Sequence, residues 1–192
     1  MGQALLFGRE PVRADASFRS VKRIELGHGA WLEHQPGWLS GHSVVFEALR
    51  DRLVWRAQRR QMYDREIDVP RLLAHWPSTE SAKQEGHPVI RHCVEMLSER
   101  YQRDLSAVSL AYYRDGSDSV APHGDRMGPL TIDCVIAIVA VGDRRRFLMR
   151  PALGSGPALA FELGWGDLLV MGGSCQETFV HGIPKTSRPV GP

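Results

Sequence analysis

The second half of the chain constrains the fold most, because short apolar segments alternate there with glycine-containing turns. Turn signals fall at 115–116, 142–143, 154–156, 164 and 172–173. Between and beside them we predict strands at 108–114, 130–141, 146–150, 158–163, 167–171 and 178–183. Several short strands with tight turns indicate a sandwich, a barrel or a jelly roll.

The first half has a different pattern, which we interpret as loops and helices. Ser43 is predicted to cap a helix that runs toward Trp55 and carries Val45, Phe46, Leu49 and Leu53 on one side. Pro88 is predicted to open a second helix, in which apolar side chains recur at helical spacing at Ile90, Cys93, Val94, Leu97 and Tyr101. We therefore expect a mostly β chain with N-terminal helices, of the α+β class.

A chain of 192 residues suits one buried core and is short for two domains. We expect a single domain over 1–192, with a helical and lid region at about 1–105 and a β core at about 106–192. Hydrophobic residues make up 43% of the chain and charged residues 24%, which is typical of a globular protein. The net charge of +2 does not by itself indicate nucleic-acid binding.

Three dispersed cysteines form no CxxC pair, which favours a reducing compartment, and we expect a cytoplasmic protein. Residues 1–13 have no secretory leader pattern. The longest apolar run, at 134–141, is too short to span a bilayer, so no membrane association is expected.

The residues with the clearest metal-binding pattern are His123, Asp125 and His181. In an extended segment residues i and i+2 point to the same face, so His123 and Asp125 can reach one ion. His181 lies on the last predicted strand. Two imidazoles and one carboxylate leave open positions on an octahedral ion, and such a facial triad is typical of iron(II) oxygenases.

A histidine two residues from an aspartate is also common by chance. Taken alone, His123 is better interpreted as a polar turn residue, and for His181 a histidine at a strand end is also a common finding. We assign no chemistry to the other histidines, which are His28, His34, His42, His75, His87 and His92.

Short motifs around the triad make the interpretation more specific. They occupy 62–65, 69–72, 112–120, 122–125, 145–151, 166–173 and 181–186. In their order and spacing, from about Trp55 to the C-terminus, they resemble the AlkB-type alkylation-repair family of iron(II)/2-oxoglutarate-dependent dioxygenases. The resemblance implies a double-stranded β-helix, or jelly-roll, core.

The resemblance also implies a reaction. Fe(II), 2-oxoglutarate and O₂ would oxidise an N-methyl group on a nucleobase, giving succinate and CO₂ and then formaldehyde and the repaired base. The implied partner is alkylated single- or double-stranded DNA, or RNA, whose target base is flipped out of its stack. We expect the protein to act as a monomer.

The resemblance assigns His123, Asp125 and His181 to the metal and Tyr113 to 2-oxoglutarate. Met62, Tyr63 and Arg65 fall in the region of the substrate lid. The neighbouring arginines fit contacts with phosphates, and fit equally well a solvated arginine-rich helix beside a buried methionine; they stand at 50, 52, 56, 59, 60 and 65.

Three departures from the family pattern stand out. Ala111 occupies the position of an asparagine that bonds the co-substrate, and Met127 replaces an acidic residue that reads the base. Arg188 is the only arginine after His181, and it comes too early to match the two that hold 2-oxoglutarate in close relatives. We therefore expect the chain to lack its last strand as part of a longer protein, leaving a sheet edge unpaired.

Two alternatives follow from these departures. Met127 favours the same oxygenase chemistry on a substrate other than nucleic acid. Ala111 and the missing arginine pair favour a catalytically impaired relative that binds nucleic acid without turnover.

Overall fold

A computed structural model describes residues 10–62, 65–75, 88–125, 133–154 and 156–192. Its helices are α1 (His42–Arg52), α2 (Val89–Tyr101) and the short α3 (Cys175–Thr178). The strands in the first half are β1 (Arg13–Ala14), β2 (Lys22–Gly27), β3 (Ala30–Gln35), β4 (Leu39–Ser40), β5 (Arg56–Met62) and β6 (Arg65–His75). Those in the second half are β7 (Ser109–Tyr112), β8 (Val120–His123), β9 (Ile136–Ala140), β10 (Arg145–Pro151), β11 (Leu159–Leu163), β12 (Asp167–Gly172) and β13 (Phe179–Ile183).

Two four-stranded antiparallel sheets form the centre of the fold. One has the strand order β2-β3-β12-β9 and the other β11-β10-β13-β8. Both faces of strand β12 are covered. On one face, Leu169 and Met171 form a core with Phe147 and Met149 of the second sheet. On its opposite face, alternate residues pack against the two long helices. The layers are therefore helices, sheet and sheet, and the predicted mostly β, jelly-roll architecture is confirmed.

A third sheet, of order β5-β6-β7, lies beside the second one. The backbone N–H of Ser119 donates to the carbonyl of Pro70 at 2.7 Å, which joins β6 to the segment leading into β8. Among the described strands, β7 and β9 each pair with a neighbour on one side only.

The expectation of loops and helices for the first half was incomplete, because this region also contributes β1 to β6. The sequence pattern of these strands was weak for a physical reason. Strand β2 is an edge strand with mostly exposed side chains, and the sequence of β5, RAQRRQM, has no apolar alternation. The arginine-rich helix considered above was wrong, since α1 ends at Arg52 and a strand begins at Arg56.

The helix boundaries were predicted more closely. Helix α2 follows Pro88 as expected. Helix α1 begins at His42 rather than after Ser43, and the residue before it is Gly41, with φ 63° and no side-chain cap. A left-handed conformation at this position suits glycine, which explains why the predicted polar cap is absent. None of the helices in the described part of the chain has the length and apolarity that crossing a membrane requires.

Candidate metal centre

The antiparallel pairing of β8 and β13 brings the two predicted histidines together. His181 lies directly opposite His123 in the strand register. Their ring centroids are 4.6 Å apart. Opposite residues of an antiparallel pair project to the same face, so residues separated by 58 positions in the chain share one small volume.

Asp125 follows β8 and completes the group. Its Oδ1 lies 3.6 Å from His123 Nε2 and its Oδ2 lies 3.4 Å from His181 Nε2. One potential ligand atom from each of the three residues lies within 4.8 Å of the others. The residues therefore fit one metal ion, and the set of two imidazole nitrogens and one carboxylate is the facial triad typical of non-haem iron(II).

The backbone before Asp125 is held by the short helix α3. The side-chain Oε1 of Gln176 accepts a hydrogen bond from the Asp125 N–H at 2.8 Å. A Cβ at Gly124 would lie 2.7 Å from the Gln176 carbonyl oxygen, so only glycine permits this close approach. The glycine between the two ligands is thus required by the packing.

Hydrogen bonding and packing orient both imidazoles. His123 Nδ1 lies 2.8 Å from the carbonyl oxygen of Ala121. A carbonyl can only accept, so Nδ1 donates and Nε2 keeps its lone pair for a metal. His181 is 7% exposed and its ring stacks on Phe147 at 5.4 Å. One side of the centre is therefore closed by apolar packing, while His123 and Asp125 stay half-buried.

Positive groups hold Asp125 in its charged form. Hydrogen bonding from His181 is the main cause that lowers the pKa of Asp125, and nearby positive charge, such as that of Arg71, acts in the same direction. Burial opposes this effect. A carboxylate that stays ionised is the form that binds a metal cation.

The comparisons with known proteins agree with this geometry. The family model described as the 2OG-Fe(II) oxygenase superfamily matches residues 47–192. The chain belongs to the 2OG-Fe(II) oxygenase superfamily. The solved structure of OsALKBH1, an AlkB homologue, is similar in fold with a TM-score of 0.50 and 15% sequence identity, over 89% of this chain and 91% of that chain. No curated protein matches the sequence.

Membership of this superfamily implies Fe(II), 2-oxoglutarate and O₂, and confirms the predicted cofactors and the predicted dioxygenase class. The fold is that of an AlkB-type oxygenase, as the resemblance implied. When bound, these cofactors supply an oxidising centre in which decarboxylation of 2-oxoglutarate accompanies oxidation of a substrate.

The remaining predicted site residues of this oxygenase have different outcomes. Tyr113 follows β7 and is half-buried, and the Arg71 guanidinium donates to its hydroxyl at 3.1 Å; its assignment to 2-oxoglutarate stays a prediction. Tyr63 and the side chains of Met62 and Arg65 lie outside the described residues, and so does Met127. The substrate-binding assignment of the lid therefore stays a prediction.

Sequence reasoning missed two residues that contact the predicted site residues. Gln176 contacts Asp125 across 51 positions, and Arg71 contacts Tyr113 across 42. Both contacts depend on how sheets and helices come together. The nearest sequence signal is the motif at 69–72, which includes Arg71 but assigns it no partner.

Proposed function

We propose that this oxygenase oxidatively demethylates N-alkylated bases in DNA or RNA, as in the repair of alkylation damage. The observation that carries the proposal is the grouping of His123, Asp125 and His181, close enough together to hold one ion, in an AlkB-type fold. In the overall reaction an N-methyl group, 2-oxoglutarate and O₂ give an N-hydroxymethyl group, succinate and CO₂. The hydroxymethyl group then leaves as formaldehyde, and the nitrogen regains a proton.

The protein's own residues hold and orient the reactants. The triad holds the ion, and Gln176 fixes the backbone that carries Asp125. Phe147 and the sheet beneath His181 exclude water from one side of the centre. A target methyl group would approach from the half-exposed side, where His123 and Asp125 face outward.

The substrate side is proposed from the lid. Met62 and Tyr63 are proposed to line the base pocket, and Arg65 to meet a phosphate. Strand β5, which pairs with β6 as a hairpin, also carries Arg56, Arg59 and Arg60. A positively charged hairpin suits a polyanionic substrate, because contacts with phosphates supply much of the affinity for nucleic acid.

We further propose that residues 1–192 form one oxygenase domain, that the protein acts as a monomer, and that it works in the cytoplasm. The domain proposal is supported by β2 and β3, which come from the first half and pair with β12 of the second. The compartment is supported by Cys93, Cys134 and Cys175, which are all unpaired.

Formaldehyde release tests the substrate class. Oligonucleotides containing 1-methyladenine or 3-methylcytosine are compared with small N-methyl compounds, each with Fe(II), ascorbate and 2-oxoglutarate. We expect release from the oligonucleotides that falls as salt is raised. Release from small compounds alone would favour a different substrate, and salt-dependent binding without release would favour a relative that only binds nucleic acid.

A further inference from the structure

Arg71 lies on β6 with part of its hydrogen-bonding capacity unused. Its Nη1 donates to the Tyr113 hydroxyl, but its buried Nε has no hydrogen-bond partner. It makes no ion pair with a carboxylate among the residues that the structure describes. A guanidinium has five donors, and a buried N–H without an acceptor is costly, so this side chain suits an anion that is not part of the protein.

Arg145 is a buried arginine whose guanidinium has a structural role. Arg145 lies 5.4 Å from the Tyr113 ring, on the side chain that Arg71 also contacts. Its two Nη atoms donate to the backbone carbonyls of Asp115, Asp118 and Pro184. Although the Nε of Arg145 also lacks a partner, three carbonyls fix this guanidinium in place. Arg145 therefore supports the local fold, and Arg71 is the arginine that can bind a ligand.

Tyr113 offers a second donor beside Arg71. Burial raises the pKa of the Tyr113 phenol, so the side chain stays neutral and keeps its hydrogen. The hydroxyl oxygen already accepts from Arg71, which leaves the O–H free to donate. A guanidinium and a neutral hydroxyl together match the two oxygens of a carboxylate.

Arg71 lies within electrostatic reach of the candidate metal centre. The positive charge of Arg71 acts on Asp125. Nevertheless, Arg71 makes no ion pair with Asp125. The bond from Ser119 to the Pro70 carbonyl holds this part of β6 against the segment that leads to His123. Arg71 is therefore tied to the segment that leads to His123 and is still not paired with Asp125.

We propose that Arg71, together with Tyr113, binds the carboxylate of 2-oxoglutarate that is remote from the metal. 2-Oxoglutarate is a dianion; if its keto-acid end bound the ion, its other carboxylate would need a separate cation as partner. Arginine suits this task because its planar fork gives paired N–H donors that lysine lacks. The inference rests on the co-substrate of the proposed function and not on which methylated compound is oxidised.

Calorimetric binding to the full chain loaded with Mn(II) tests this assignment without turnover. The ligands are 2-oxoglutarate and 2-oxopentanoate, which has the same carbon chain but no remote carboxylate. The variants are Arg71→Met, Arg71→Lys and Tyr113→Phe, with Arg150→Met as the control because Arg150 is exposed on β10. Thermal melts confirm that each variant is folded.

We expect Arg71→Met to weaken 2-oxoglutarate binding roughly 10- to 100-fold and to leave 2-oxopentanoate binding nearly unchanged. Arg71→Lys should lie between wild type and Arg71→Met, and Tyr113→Phe should cost roughly 3- to 10-fold. Equal losses for both ligands, or no loss for either, would overturn the assignment and leave the proposed function standing. If the wild type bound neither ligand, the assignment and the proposed function would both fail.

Discussion

Two aspartates, Asp118 and Asp125, flank β8, and their surroundings indicate different roles. Asp118 stabilises the local fold, whereas Asp125 belongs to the candidate metal centre. Asp118 precedes the strand by two residues and Asp125 follows it by two. The pKa of each is held below its usual value, chiefly by hydrogen bonding from Arg114 at Asp118 and from His181 at Asp125. A lowered pKa therefore does not distinguish them.

Their partners do distinguish them. Asp118 is 1% exposed, and its carboxylate accepts from the backbone N, Nε and Nη2 of Arg114 at 2.8–2.9 Å. The side chain of Asp125 is 35% exposed and faces two imidazoles at 3.4 and 3.6 Å. Rigid donors satisfy the first carboxylate completely. The second lies beside two imidazole nitrogens, and this set of groups is suited to binding a metal cation.

The largest effect should come from removing a metal ligand. His181→Ala leaves two ligands and an apolar gap beside Phe147. We expect iron(II) affinity to fall by more than about 100-fold, because loss of a residue that only hydrogen-bonds to a ligand already costs roughly 10- to 100-fold. Metal titration of the purified protein measures this. His92→Ala, on the exposed face of α2, is the matched control and should change nothing. Unaltered iron binding by the His181 variant would show that the triad is not the site.

A smaller effect is expected at Gln176, which holds Asp125 through the backbone. Gln176→Leu removes the acceptor of the Asp125 N–H, and we expect metal affinity to fall roughly 10- to 100-fold. Gln176→Glu keeps an acceptor oxygen at the same place and should retain more affinity than the leucine variant. The same titration compares them, and equal affinities for wild type and leucine variant would remove Gln176 from the centre.

At Asp118 we expect a loss of stability with no change in metal binding. Asp118→Asn keeps the shape but removes the charge that pairs with Arg114, and the free energy of unfolding should fall by roughly 1–3 kcal/mol. Urea unfolding measures this. Asp104→Asn, at an exposed turn, should cost less. A weaker metal affinity in folded Asp118→Asn would mean that the two aspartates are not independent.

The smallest effect is the pH dependence of the difference in stability between wild type and Asp118→Asn. Since the folded pKa of Asp118 lies below 3.8, its charge contributes stability that is fully present above the unfolded value and is lost as pH falls through the folded one. The stability gap between wild type and Asp118→Asn should therefore be constant near neutral pH and shrink below about pH 4. Urea unfolding at several pH values checks this, and a gap that widened in acid would contradict it.

Some parts of the molecule could be predicted from the sequence alone. The sequence grouped His123, Asp125 and His181 because their spacing and the strand pattern around His181 are local signals, and the pairing of β8 with β13 does bring the three residues together. The strands at β10 to β12 were predicted closely because apolar residues and glycine turns mark them.

Other elements were missed because their signals are not local. Strand β5 is rich in arginine and has no apolar face in its sequence, and β8 is short and lies between turns. The roles of Gln176, Arg71 and Arg114 depend on contacts that folding creates between distant segments or on burial. Motif spacing predicted the chemistry, whereas the supporting residues required three-dimensional positions.

Conversion of 2-oxoglutarate to succinate tests the central claim most directly. Wild type and Asp125→Ala are compared, each with Fe(II), ascorbate and a single-stranded oligonucleotide carrying 1-methyladenine, and with parallel reactions that omit iron. We expect iron-dependent succinate formation by the wild type, stimulated by the oligonucleotide, and none above background by the variant. Equal succinate formation by both proteins would contradict the assignment of His123, Asp125 and His181 as the oxygenase centre.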